Sequence, residues 1–245
     1  MKTAPQDLVS IPLIKTLLVQ IESAQHYQFD LGDDIMACSP DQASSRPPSE
    51  ADDLFLIVSG TVRLLTHNEG LQKTVSVACL GPGEAFGCDR TFCGHPLPYW
   101  AKAAASCQLV RLPNRAVERA LSQWPLVLSH LQRQTQRRSQ LAFFKQYTPL
   151  GALPSKVLSG RLLPQLVEQP LQAGSTLGQY PLIADEYLWL RHGCLLNPAA
   201  PNASSQVGDG WLYAPRQGNW TCQTSGLLYR LALHTPELNA IKQLL

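Results

Sequence analysis

The stretch LFLIVSGTVRLL, from Leu54 to Leu65, contains two apolar, β-rich runs that meet at Ser59-Gly60. Such runs, bounded by turn residues, are typical of β-strands, so the stretch predicts a strand pair or one sharply kinked strand. Next to it, HNEG (His67–Gly70) has the composition of a hairpin turn, and TVSVACL (Thr74–Leu80) alternates like a returning strand. SCQLVRL (Ser106–Leu112) predicts a further strand. The first half of the chain is therefore predicted to be built around β-structure.

A change to helical spacing follows these strands. Residues from Asn114 to Tyr147 repeat their apolar positions as a helix does, and Asn114 is a suitable N-cap residue. Pro125 is expected to divide this stretch into two helices, because proline breaks a helix interior. Thr148–Pro154 (TPLGALP) is predicted to be a hinge, and a weaker helix is expected to follow it up to Pro170. A short amphipathic helix is also expected at residues 11–21.

The second half repeats blocks of the first half in the same order. Matching blocks in a fixed order predict two copies of one small β unit, of which the second is shorter. The matched pairs are FDLGDDI (29–35) with LQAGSTL (171–177), LFLIVSGTVRLL (54–65) with YLWLRHGCLL (187–196), LGPGEAFG (80–87) with VGDGWLYA (207–214), and CQLVRLP (107–113) with GLLYRLAL (226–233).

Composition sets broad limits on the class of protein. The chain has 245 residues, of which 44% are hydrophobic and 16% charged, as expected for a globular protein with a buried core. A formal net charge of +2 is too small to indicate nucleic acid or an anionic membrane as partner. No apolar run approaches the roughly 18 residues that a membrane-spanning helix needs. Seven cysteines without a CxxC pair indicate reduced thiols in a cytoplasmic setting.

The block from Leu54 to Leu112 resembles the cyclic nucleotide-binding domain of catabolite-activator-type proteins. The resemblance rests on LFLIVSGTVRLL, LGPGEAFG and AAASCQLVRL, which stand in the order and near the spacing of that family. It covers roughly residues 10 to 135 and implies an eight-stranded jelly roll with flanking helices. Together with the repeat, it implies a mainly β fold of two β-sandwich units joined by a helical connector. The expected domains are residues 1–147 and a smaller, degenerate copy at residues 148–245.

The resemblance also implies where a ligand pocket would lie and which groups it would lack. In that family a glutamate takes the ribose hydroxyl, while an arginine and exposed backbone N–H groups take the cyclic phosphate. Counted from the matched blocks, the glutamate position holds Cys88 and the arginine position holds Leu97. The implied pocket residues are Phe86, Gly87, Cys88, Leu97, Pro98 and Tyr99. A pocket of this composition is predicted to be degenerate and to bind neither cAMP nor cGMP.

Two other groups of residues near this pocket admit a chemical interpretation. Arg90, on the short DRTF segment, is a possible anion contact, since helix N-termini attract anions; the plainer interpretation is a solvated surface residue. Cys88, Cys93 and His95 could hold zinc, but the spacing is unusual and a fourth ligand is missing. Packing of Cys88 in the pocket and an exposed His95 are the plainer interpretation. The sequence predicts no metal and no cofactor.

These observations favour a non-catalytic regulatory or docking module. No nucleophile elbow, Walker loop or metalloprotease motif is present. Three motifs, LIVSGTVRLL (56–65), LGPGEAFG (80–87) and LLYRLALHTPEL (227–238), also resemble the N-terminal cytosolic region of cyanobacterial peptidase-containing ABC exporters. This resemblance implies a cytoplasmic location, at the inner face of the membrane if the chain is part of a transporter. The expected partners are another protein or other domains of a larger chain, without nucleic acid and without membrane insertion.

Two alternative functions remain open from the sequence. The first is a sensor that binds a cyclic nucleotide or another small anion in a remodelled pocket. The second is a transcription regulator of the Crp type whose helix-turn-helix is not recognisable. The basic residues Arg133, Arg137, Arg138 and Lys145 could suggest DNA binding, but such a run is more often a solvated helix face. A β-rich unit, not a helix-turn-helix, follows Tyr147.

Overall fold

The structure is a computed structural model, and it describes residues 24–36, 53–93, 95–180, 186–197, 206–207, 210, 212–213 and 220–232. The helix expected at residues 11–21 lies outside these residues. The chain divides into two compact units, and it is mainly β with a few helices. The first unit comprises Met1–His67 with Thr74–Ala142, and the second comprises Asn68–Lys73 with Phe143–Leu245.

Among the described residues, the first unit contains two four-stranded sheets. One sheet has the strand order β1-β8-β3-β6 and the other has the order β2-β7-β4-β5. The strands are β1 (Gln25–Phe29), β2 (Asp34–Met36), β3 (Leu54–Ser59), β4 (Val62–Asn68), β5 (Lys73–Leu80), β6 (Ala85–Gly87), β7 (Trp100–Ala103) and β8 (Cys107–Leu112). The hairpin turn predicted at His67–Gly70 and the returning strand after it are confirmed, since β4 and β5 are neighbours joined by a short turn.

The stretch from Leu54 to Leu65 passes from one sheet to the other. β3 pairs with β8 and β6, whereas β4 belongs to the second sheet. Of the two predicted alternatives, the strand pair is therefore wrong, and the sharp bend at Ser59-Gly60 is present between two separate strands. The change of sheet occurs at Gly60, whose φ is 81° and where an added Cβ would overlap the backbone oxygen of Ser106. A glycine is required here because only hydrogen fits between the two backbones.

Helices cover part of the first sheet. α1 is a short helix (Asp89–Phe92), and α2 (Asn114–Ser122) and α3 (Pro125–Tyr147) are separated near Pro125, as predicted. Pro113, not Asn114, occupies the N-cap position of α2, so the capping prediction is wrong by one residue. Apolar residues of α2 and α3 join one core cluster with residues of β3 and β8. The cluster includes Leu54, Leu56, Val110, Leu112, Val117, Leu121, Val127 and Leu131.

In the described part of the second unit there are a four-stranded and a three-stranded sheet, ordered β13-β10-β15-β9 and β12-β11-β14. Its strands are β9 (Val167–Leu171), β10 (Glu186–His192), β11 (Leu195–Leu196), β12 (Gln206–Val207), β13 (Leu212–Tyr213), β14 (Thr221–Cys222) and β15 (Gly226–Ala232). Aromatic side chains fill part of its core. Phe144 packs edge-on against Trp189 with ring centroids 5.3 Å apart, and Phe143 packs edge-on against Tyr229 at 5.1 Å.

The segment between α3 and β9 differs from the expected hinge and helix. Within the expected hinge, Pro149–Ala152 forms a 3-10 helix in which Leu150 and Gly151 are buried. The chain then makes three short helical turns at Ser155–Val157, Leu158–Leu162 and Leu163–Gln165. The expected helix therefore ends early, because the residues after it pair with β15 as a strand. Among the described residues, no helix is both long and apolar enough to cross a bilayer.

Candidate functional site

Most of the six pocket residues inferred from the sequence are buried. Phe86 and Gly87 end β6, and Cys88 directly precedes α1. Leu97 and Tyr99 are buried in the segment that leads into β7, whereas Pro98 is exposed. The structure brings two of them into direct contact, because the backbone N–H of Gly87 donates a hydrogen bond of 3.0 Å to the Tyr99 hydroxyl.

Gly87 and Cys88 form a left-handed backbone step at the start of α1. Their φ angles are 83° and 51°, a region that costs energy for a residue with a side chain. Cys88 is fully buried in the core cluster beside α2, and its thiol lies 3.6 Å from the side-chain oxygen of Asn114. The residue at the expected glutamate position thus packs as a small apolar group.

Tyr99 links the pocket loop to α1. Its hydroxyl accepts the Gly87 hydrogen bond and donates a hydrogen bond to the carboxylate oxygen Oδ2 of Asp89. Burial, and after it the nearby carboxylate of Asp89, raises the pKa of Tyr99 well above its ordinary value. The phenol therefore stays neutral, and its O–H remains available as a donor.

A buried arginine from α3 completes this arrangement. The Arg138 guanidinium lies 3.1 Å from Oδ1 of Asp89, and its charge lies over the Tyr99 ring at 5.8 Å from the centroid. It also donates to the backbone oxygen of Ala85 at 2.9 Å and to Thr135 Oγ1 at 3.2 Å. Burial tends to lower the pKa of Arg138, but the charge of Asp89 and its hydrogen bond outweigh this effect, so the pKa lies above its ordinary value. Arg138 is therefore a paired, fully charged cation.

The sequence interpretation missed Arg138 because it grouped four cations of α3 as one solvated face. Arg133 and Arg137 are exposed, as expected, but Arg138 and Lys145 are buried, so the interpretation is wrong for these two. Lys145 donates hydrogen bonds to two backbone carbonyls, including that of Gly151 at 3.1 Å. Burial, followed by repulsion from Lys73, lowers its pKa.

A signal for the burial of Arg138 was present in the helical spacing. Arg138 follows the buried Leu131 by seven residues and precedes the buried Ala142 by four, so it shares their helix face. A buried charge on an apolar helix face needs a partner of opposite charge. That partner, Asp89, is distant from Arg138 in the sequence. The spacing therefore predicts the burial of the side chain but not its partner.

The other two chemical interpretations concern α1 and the residues after it. Arg90 is exposed, and so is His95. The Cys93 thiol lies 3.6 Å from the Ser139 hydroxyl. Among the residues that the structure describes, no group of three or more His, Cys, Asp or Glu side chains is arranged to hold a metal ion.

Comparison with known proteins bears on the family of the first unit. No curated protein matches the chain. The chain is similar to a solved variant of CooA from Carboxydothermus hydrogenoformans, with 13% identity and a TM-score of 0.40 over 58% of this chain and 85% of that one. It is similar to the regulatory domain of Toxoplasma gondii PKA with cAMP, with 15% identity and a TM-score of 0.34 over 100% of this chain and 94% of that one.

A third similar structure is the regulatory subunit of a cAMP-independent protein kinase A from Trypanosoma cruzi bound to guanosine, with 16% identity and a TM-score of 0.34 over 99% of this chain and 90% of that one. The family described as "Cyclic nucleotide-binding domain" matches residues 45–123. These residues include β3 to β8, α1, α2 and every residue of the inferred pocket. Residues 45–123 therefore match the cyclic nucleotide-binding domain family, and the resemblance inferred from the sequence is confirmed for this part of the chain.

Proposed function

We propose that the chain is a non-catalytic regulatory or docking module whose first-unit pocket binds neither cAMP nor cGMP. The observation that carries the proposal is the network of Tyr99, Asp89 and Arg138. These side chains bond to one another and to the backbone of the pocket loop. The Gly87 N–H and the Ala85 carbonyl are therefore bonded within the protein and are not directed to a ligand.

The groups that would recognise a cyclic nucleotide in the resembled family have no counterpart here. Cys88, at the glutamate position, is buried in the apolar core cluster and offers no carboxylate to a ribose hydroxyl. Leu97, at the arginine position, is buried and uncharged. The N–H of Gly87 already donates to Tyr99, and Pro98 has no N–H. Each of the two recognition contacts that the family would make is therefore missing.

The size of this loss decides whether binding would be measurable. A hydrogen bond to a charged group contributes about 1.5–3 kcal/mol, so two missing contacts correspond to about 3–6 kcal/mol. Affinity falls tenfold for every 1.4 kcal/mol or so, and a micromolar site would therefore weaken to a Kd between about 0.1 and 20 mM. Displacement of Tyr99 from the loop would add a further cost.

Titration calorimetry with cAMP and cGMP tests the proposal. We expect no binding with a Kd below about 0.1 mM, because the pocket lacks both charge-bearing contacts. The Toxoplasma gondii regulatory domain, solved with cAMP, serves as the positive control under the same conditions. A Kd near or below about 10 μM for either nucleotide would contradict the proposal and favour a sensor.

We further propose that the second unit is a smaller, degenerate copy of the first. The sheets β1-β8-β3-β6 and β9-β15-β10-β13 support this, since corresponding strands stand in the same order. Each sheet also carries an ion pair at the matching place. The Nε of Arg111 lies 2.6 Å from Asp53, and the Nε of Arg230 lies 2.8 Å from Glu186. Asp53 directly precedes β3 and Glu186 is the first residue of β10, and each arginine is the fifth residue of β8 or β15.

Backbone hydrogen bonds in the turns also support a copy. In each unit the N–H of a turn glycine donates to the carbonyl of the residue four positions before β8 or β15. The N–H of a second glycine donates to a carbonyl of β3 or β10. The pairs are Gly32 to Ala103 at 2.9 Å with Gly174 to Cys222 at 2.7 Å, and Gly83 to Ile57 at 2.8 Å with Gly210 to Leu190 at 2.8 Å. An experimental structure with another strand order in the second unit would contradict the copy.

The resemblance to exporter-associated domains extends the proposal. We propose that the chain is the cytosolic N-terminal part of a larger protein such as an ABC exporter, and that its partners are the other domains of that protein or a separate protein. The match of residues 45–123 to the cyclic nucleotide-binding domain family is in keeping with a regulatory role. Immunodetection in the source cells tests this proposal, and we expect a membrane-associated product well above 26.9 kDa. A product of about 26.9 kDa in the soluble fraction would contradict it.

A further inference from the structure

The carboxylate of Asp89 is held at both of its oxygens. Oδ2 accepts a hydrogen bond from the Tyr99 hydroxyl, and Oδ1 lies 3.1 Å from NH2 and 3.4 Å from Nε of Arg138. A guanidinium combined with a neutral O–H donor is a strong arrangement for a carboxylate, because charge-assisted hydrogen bonds are stronger than neutral ones. Asp89 is therefore bound in the way that a protein binds an anionic ligand.

The groups that bind this carboxylate are held in place by other residues. Arg138 is fixed through NH1 by the Ala85 carbonyl and through NH2 by Thr135 Oγ1. Tyr99 is fixed by the N–H of Gly87. None of these three supports includes Asp89, so the two donors would keep their positions without it. Such prior positioning is what allows a site to bind a ligand without a large ordering cost.

Asp89 itself is the most accessible member of the cluster. Its side chain is 15% exposed, against 7% for that of Arg138. It lies on the four-residue helix α1, directly after the left-handed Cys88. Solvent therefore reaches the carboxylate more readily than it reaches the donors that hold it.

We propose that Arg138 and Tyr99 form a carboxylate-binding site that the protein fills with its own Asp89. Asp89 acts as a tethered ligand, and a free small carboxylate enters only by exchange with it, which keeps the charge of the buried site balanced. The inference rests on the proposed function, because it names the group that occupies the pocket region in place of a nucleotide. The contact is autoinhibitory, since a group on the same chain competes at a very high effective concentration.

Rescue by acetate tests the site. In Asp89→Ala the donors remain and the carboxylate is removed, so acetate should raise the melting temperature relative to chloride at equal ionic strength and pH 7. We expect a rise of about 4–7 °C when acetate is present at about twenty times its Kd. The wild type should show no such rise, because Asp89 fills its site.

Two matched variants identify the source of any rise. Asp89→Asn keeps the size of the side chain without its charge, so it fills the site and should not respond to acetate. Asp89→Ala with Arg138→Leu lacks the cation and should not respond either. An equal rise in all variants would show an adventitious effect of the ion only, and it would overturn the proposal.

The test also covers a failure to fold and separates the two proposals. If Asp89→Ala folds in acetate but not in chloride, the site is supported; if it folds in neither while Asp89→Asn folds in both, the proposal is overturned. Binding of cAMP by the wild type would overturn the proposed function without affecting the acetate response. Absence of an acetate response would overturn the site and leave the proposed function standing.

Discussion

Replacement of Arg138 by leucine should lower the free energy of unfolding by about 3–5 kcal/mol. The substitution leaves the Asp89 carboxylate, 15% exposed, without its cation, and it leaves the Ala85 carbonyl without the donor at 2.9 Å. Removing one member of a buried ion pair is far more destabilising than removing both, because the remaining charge is poorly hydrated. Denaturant unfolding followed by fluorescence and circular dichroism measures the loss.

A neighbouring arginine provides the matched control. Arg137 lies on the same helix and is exposed, so Arg137→Leu should change the stability by no more than about 0.5 kcal/mol. Combining Arg138→Leu with Asp89→Asn should recover part of the loss, since the unpaired charge is then absent. Equal effects of Arg137→Leu and Arg138→Leu would mean that the buried pair contributes nothing, and no recovery in the double variant would mean that Asp89 is not its partner.

The strands of the first unit were predictable because their signals are local. Alternation in TVSVACL and the turn residues at His67–Gly70 predict β5 and the turn before it without knowledge of any distant residue. Placement in a particular sheet is not local. β3 and β4 are two residues apart, yet they belong to different sheets, because the backbone bends at Gly60 beside Ser106. The sequence indicates the glycine but not the backbone that approaches it.

The candidate site was predictable to a smaller extent. The family resemblance located Cys88 and Tyr99, and both are buried in the structure. It did not predict that Tyr99 would meet Asp89, or that Arg138 would reach them from a helix 49 residues further along the chain. Helical spacing gives the face of a residue, but the partner of a buried charge depends on how the elements pack. The polar network therefore required the structure.

The other large effect is expected at Gly87, where the pocket loop meets β3. Gly87 has a φ of 83°, and an added Cβ would overlap the backbone oxygen of Asp53 and lie 3.3 Å from the Phe55 ring. Asp53 cannot move away easily, because the Asp53 carboxylate is bound by Arg111 and the adjoining strand β3 pairs with β6. A left-handed residue with a side chain costs about 1–2 kcal/mol and overpacking about 1–3 kcal/mol.

Gly87→Ala should therefore lower the free energy of unfolding by about 2–5 kcal/mol, as measured by denaturant unfolding. Gly32→Ala separates the two causes, because Gly32 has a similar φ of 92° but no atom within 4 Å of the added Cβ. It should cost only the backbone contribution of about 1–2 kcal/mol. If both variants lose the same stability, the close approach of Asp53 is relieved without cost. The loop at Gly87 would then be free to move away from β3, and the Tyr99 hydroxyl, which is held by the Gly87 N–H, would not be fixed in the position that the carboxylate site requires.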